Sequence, residues 1–166
     1  MNIQYPIWKT LDLGPDYDEL VKSVNDSVFM QNQGLKIDIS ENARNALRAP
    51  AFSLLPRHTR VNLIGVSFST LGFKGKVPLE QIFLRAQELG FIKCPPETGP
   101  KLRLEYLNQP KGLRLVVGME PVSFGGYRDM FTLDREGQTL WLRAVCGNST
   151  VLWDDEFEWI FALPNK

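Results

Sequence analysis

His58 is the single histidine of the chain, and it stands in a cationic run, Arg57-His58-Thr59-Arg60, just after two more arginines, Arg44 and Arg48. An imidazole titrates near neutral pH and moves protons, while guanidinium groups grip phosphate through paired hydrogen bonds. Together they would suit a phosphate-handling enzyme such as a toxin-type ribonuclease, with His58, Arg57 and Arg60 as candidate catalytic residues. The plainer reading is a solubilising helix face followed by a strand entrance, because nothing else in the run supports catalysis.

A second constellation is Arg103, Glu105, Arg114, Trp141 and Arg143, joined by Glu120 on one expected sheet face. Three guanidinium groups beside an indole make a ligand-binding surface for a carboxylate, a phosphate or a base. Its simpler alternative is a solvated sheet face laced with weak ion pairs. Cys94 as a nucleophile for His58 is disfavoured, because no helix begins there to lower its pKa. Two distant cysteines, Cys94 and Cys146, and one histidine supply no zinc set, so neither metal nor cofactor is expected. Whether the two thiols lie close together is not readable from their spacing. The acidic run Asp154-Asp155-Glu156 matches no Ca²⁺ loop, and Gly72 to Lys76 lacks the ending of a phosphate-binding loop.

These residues need elements to hold them. The chain has 166 residues, 43% of them hydrophobic, enough to build a core without disulfides. Nineteen basic and nineteen acidic residues cancel, so no overall field draws the chain to nucleic acid or anionic lipid. No signal-peptide pattern opens it and no run approaches a membrane span, which gives the expectation of a cytoplasmic protein with no membrane partner.

Gly14-Pro15 with Asp16, Asp18 and Glu19 predicts a first helix, with Val28 on its apolar face and Gly34 at its end. Ser40 predicts the N-cap of a short second helix through Arg48. The segment before Gly14 reads as an edge strand or an arm. Val61 to Phe68 reads as a buried strand, and Pro78 to Leu89 as the clearest helix, ending at Gly90-Phe91 in a Schellman motif. From Lys101, charged residues alternate with Leu102, Leu104 and Tyr106. With Leu113 to Glu120 this predicts a hairpin in which Glu105 faces Arg114 and Leu104 faces Leu115. Met130 to Asp134, Thr139 to Val145 and Phe157 to Leu163 continue the strands, with Leu133 expected opposite Leu140. The predicted fold is α+β: an antiparallel meander of about five strands packed against the 78–89 helix and the N-terminal helices. It would form a single domain over 1–166, with 1–60 a mainly helical layer and 61–166 the helix plus antiparallel sheet.

The residues Cys94-Pro95, Gly99-Pro100, Leu102-Arg103-Leu104, Tyr106, Gln109-Pro110, Gly112, Met119-Glu120-Pro121, Leu140-Trp141-Leu142 and Trp159, after Glu88-Leu89-Gly90, follow a recognisable order. From Val66 to Ala162 the chain resembles a set of small bacterial proteins with no established activity. The resemblance implies a bacterial origin and no substrate. The functional expectation is a non-enzymatic binding or protein-interaction domain whose partner is a protein or a small anionic ligand. Nucleic acid is the less favoured partner, and the oligomeric state is open.

Overall fold

The computed structural model describes residues 4–27 and 34–165. Along the chain these form β1 (Lys9–Leu13), α1 (Tyr17–Ser27), β2 (Lys36–Ile39), α2 (Glu41–Arg48) and β3 (Thr59–Val66). Next come β4 (Val77–Pro78), α3 (Leu79–Glu88), α4 (Thr98–Glu105), β5 (Leu115–Val117) and β6 (Val122–Phe124). The last are β7 (Tyr127–Glu136), β8 (Thr139–Cys146), β9 (Leu152–Trp153) and β10 (Glu158–Leu163). Where the first helix stops relative to Val28 and Gly34 lies outside the described residues.

The fold is α+β, and its sheet is larger and more mixed than the expected meander. Among the described residues its strands run in the order β1-β3-β10-β5-β7-β8-β2, with β6 pairing on β7, while β4 and β9 form a separate pair. The β5–β10 and β2–β8 pairs are parallel, and the remaining pairs are antiparallel. Residues before position 60, expected to be mainly helical, also supply β1 and β2, the two ends of the strand order.

The largest departure is the segment from Lys101. It forms α4, not a strand, so the predicted pairings of Glu105 with Arg114 and Leu104 with Leu115 do not exist. The alternation rested on Arg103 pointing to water, yet Arg103 is buried. Lys101 and Glu105 then lie one helical turn apart and form an i,i+4 ion pair at 3.8 Å. No β-branched residue occurs from Lys101 to Leu107, and Leu, Arg, Lys and Glu are good helix formers. Pro100 sits in the first turn, where a missing N–H costs nothing.

The other elements follow their local chemistry. Ser40 caps α2, its hydroxyl accepting from the Ala43 N–H at 3.2 Å. After α3, Phe91 N–H donates to Ala86 O at 2.9 Å and Gly90 N–H to Gln87 O at 3.0 Å, the two bonds of a Schellman motif, with Gly90 at φ 86°. The β7–β8 hairpin closes on Gly137-Gln138, so Leu133 faces Leu142 instead of Leu140. A two-residue slip leaves each side chain on its expected face.

Register shows that both faces of the sheet are covered. Trp159 lies beside Val116 and Val116 beside Thr132, which puts Trp159 and Phe161 on one face and Phe131 on the other. α3 covers the first face through Phe83, whose ring meets Phe161 edge-on at 6.4 Å. α4 covers the second, with Gly99 against Phe131 and Phe52 edge-on to the same ring at 6.1 Å. Double coverage explains why Trp159, Ile160, Phe161 and Ala162 are all buried, where a one-sided strand would alternate.

Candidate functional site

The cationic run before β3 lies at the surface, with Arg57, His58 and Arg60 all exposed. Arg60 pairs with Asp12 at 3.5 Å, and the Arg57 carbonyl accepts from the Thr59 hydroxyl at 2.9 Å. The His58 ring lies against Gly14 and borders an open hollow shared with Asp16 and Asp18. The imidazole's neighbours there are thus carboxylates, which repel a phosphodiester.

The second constellation is only partly assembled. Trp141 and Arg143 do meet, the guanidinium stacking 4.0 Å from the indole centroid. Arg143 is also held by Asp134 at 3.2 Å and Glu136 at 3.0 Å. Arg114 instead pairs with Glu156 and lies over the Phe157 ring at 4.5 Å, and Glu105 pairs with Lys101.

Arg103 is enclosed between α4 and the β7–β8 hairpin. Its guanidinium donates to Gln109 Oε1 at 2.6 Å and to the Tyr106 carbonyl, and it lies 3.4 Å and 3.5 Å from the Trp141 and Asp134 carbonyls. Gln109 in turn donates to Leu113 O at 2.8 Å and Leu133 O at 3.0 Å. Burial pushes the Arg103 pKa down to about 10, the nearby Asp134 charge acting against that fall. It is therefore a cation at neutral pH, and a structural one. Cys94 is equally enclosed: burial raises its thiol pKa far above the ordinary value, so it offers no thiolate near neutral pH. Both cysteines are free thiols.

A different place is open. Between α3 and the sheet runs a groove of about 620 Å³, within the range of small-molecule sites, about 300–1,000 Å³. Phe83, Phe91 and Phe161 line it. Phe91 and Trp159 both stack on Phe161, with centroids at 6.1 Å and 5.9 Å. The Phe161 ring lies against Gly118, which has no side chain to lift it.

Compared with known protein families, curated proteins and solved structures, the chain matches none. The groove's own chemistry must therefore carry the functional argument.

Leu84 and Ile92 also line the groove, 54% and 50% exposed, so part of its apolar wall is open to solvent. Its charged lining residues are Glu80, Lys93, Glu120 and Arg128. Lys93 Nζ donates to Glu120 Oε2 at 2.8 Å and Arg128 Nη2 to Glu120 Oε1 at 3.3 Å. Lys93 Nζ also lies 4.5 Å from the Phe83 centroid, so cation and apolar wall are contiguous.

Of these residues the alternating-charge pattern singles out only Glu120. The signal for them was Leu84, an aliphatic residue on the otherwise polar side of α3 that carries Glu80, Gln81, Arg85 and Glu88. Among the described residues no group of three His, Cys, Asp or Glu side chains gathers as a metal site would require.

Proposed function

We propose that this protein is a non-enzymatic binding domain whose site is the groove between α3 and the sheet. The observation that carries the reading is the combination of an aromatic floor, exposed aliphatic lips at Leu84 and Ile92 and a short charged rim in one concavity. Such sites hold a ligand by apolar burial and orient it with a few polar groups. Nothing in the groove resembles a nucleophile with its base: Cys94 is sealed beneath, and His58 borders a separate hollow. The phosphate-handling alternative lacks support of this kind, because the hollow at His58 is lined by Asp16 and Asp18.

The test is Nile red, an uncharged dye whose emission rises in apolar surroundings. Saturable enhancement is expected with the native chain, and its loss in Leu84→Asp/Ile92→Asp. Both side chains are exposed, so the melting temperature should change little, about 2 °C or less. Equal enhancement in the native and doubly substituted chains would remove the groove as the site.

A further inference from the structure

We infer that the ligand of this groove is a small amphipathic carboxylate, its anionic group held by Lys93 and Arg128 and its apolar body lying along Phe83, Leu84 and Ile92. The inference rests on the groove being the binding site and goes on to name what it takes. Lys93 and Arg128 converge on one point: each holds a different oxygen of the Glu120 carboxylate, at 2.8 Å and 3.3 Å. The protein thus displays, at the groove's edge, the geometry in which these two cations grip a carboxylate. Around the Glu120 carboxylate two positive charges face one negative, and Glu80, the other acid of the lining, pairs with neither cation, so an anion that takes the place of Glu120 meets two donors already aimed at a carboxylate.

The distance from head to body also fits. Lys93 Nζ is 4.5 Å from the centroid of Phe83, so a ligand gripped by the ammonium enters the apolar lining with its first few carbons. Leu84 and Ile92, both exposed, continue the apolar surface, and Phe161 packs beneath Phe83. A groove of about 620 Å³ is the size of a small-molecule site, which commits the proposal to a free amphiphile rather than a membrane or a polypeptide. The rim is exposed, 46% for both Lys93 and Arg128, so its contribution is modest and screened by salt.

Isothermal titration of the full chain with decanoate and with decanol tests this, because the two probes share a body and differ in the head. Decanoate is expected to saturate a single site and to bind about tenfold more tightly than decanol. Lys93→Met/Arg128→Met should weaken decanoate about tenfold and leave decanol unchanged, as exposed ion pairs are each worth about 1 kcal/mol or less. Glu120→Gln should act oppositely, tightening decanoate about threefold by removing the resident negative charge.

Equal binding of the two probes, or decanoate affinity untouched by the double substitution, overturns the carboxylate assignment while Nile red binding keeps the groove. Failure of decanoate, decanol and Nile red alike overturns both readings. Decanoate binding that appears only as a dimer dissociates in sedimentation assigns the groove to a second copy of the chain, which also overturns the proposal.

Discussion

Replacing Arg103 with methionine keeps much of the packing of its aliphatic stem and removes the guanidinium from a place that water scarcely reaches, since the residue is 1% exposed. Gln109 Oε1, at 2.6 Å, and the Tyr106 carbonyl lose a charged donor. The contacts at 3.4 Å and 3.5 Å to Trp141 and Asp134 are long and add little. Each buried acceptor left without a partner costs about 1–3 kcal/mol, so two of them put the loss at about 3 kcal/mol or more. Asp134 does not add to this, because Arg143 still holds it at 3.2 Å. At this chain length about 3 kcal/mol lowers the melting temperature by about 6–12 °C, a large part of a typical domain's stability.

Thermal and urea unfolding of Arg103→Met measure that loss, and Gln109→Leu closes the cycle. Arg103 Nε has no hydrogen-bond partner, so the guanidinium is imperfectly satisfied even in the native protein. Removing both polar groups should therefore cost less than the two single losses added together, by about 1 kcal/mol or more. A melting temperature within about 2 °C of the native value for Arg103→Met would refute the claim that this guanidinium holds α4 to the hairpin. Strict additivity in the double variant would refute the claim that it does so through Gln109.

Gly118→Ala should lose about 1–3 kcal/mol, because a methyl group there meets Phe161 Cδ1 at 2.6 Å and that ring is confined by Phe91 and Trp159. Phe161→Leu in the same chain should recover part of the loss, and unfolding curves that show no such coupling would dismiss the contact as its cause. Glu97 is buried and accepts from the Leu55 N–H at 2.8 Å and the Gly14 N–H at 3.3 Å. Burial raises its pKa above the ordinary carboxylate value, with those two bonds and Lys101 opposing the rise. The folded state then holds its proton at a pH where the unfolded state has released it. The stability contributed by Glu97 is therefore full below the ordinary value of 4.5 and is lost as pH rises through the folded value. Glu97→Gln should flatten that part of a urea-midpoint profile against pH and lower stability by about 1–3 kcal/mol, since its amide sets a donor against a donor N–H. An unchanged profile would reject the assignment.

What was legible in the sequence was whatever local chemistry alone decides. Ser40 as a cap, Gly90-Phe91 as a helix end and the apolar run of β3 each depend on a few neighbouring residues, and each appears at its expected place. The segment from Lys101 failed because its alternation treated charge as a sign of exposure. Arg103 breaks that rule by bringing a positive charge inside to carbonyls and one amide, the Tyr106 and Gln109 partners close in sequence and the Asp134 and Trp141 carbonyls far along the chain. β5 lies within the expected Leu113 to Glu120 strand, but its partners are β10 and β7, which are distant in sequence. The groove was illegible because it is made between elements. Phe83, Lys93, Glu120, Arg128 and Phe161 share no spacing in sequence and meet only once the sheet is closed.

The two faces of the sheet divide the work of the molecule. On the Phe131 face, Arg103, Gln109 and Glu97 are buried polar groups tied to backbone donors and acceptors, an arrangement that tolerates little change. On the Phe161 face, the lips and rim of the groove are Leu84, Ile92, Lys93, Glu120 and Arg128, all exposed and little used by the core. The lip and rim can therefore change at little cost to the fold, while the groove's floor, Phe91 and Phe161, belongs to the core. A solvated ion pair costs little to rearrange, so the Glu120 carboxylate can yield its two cations to an incoming anion without unfolding anything beneath.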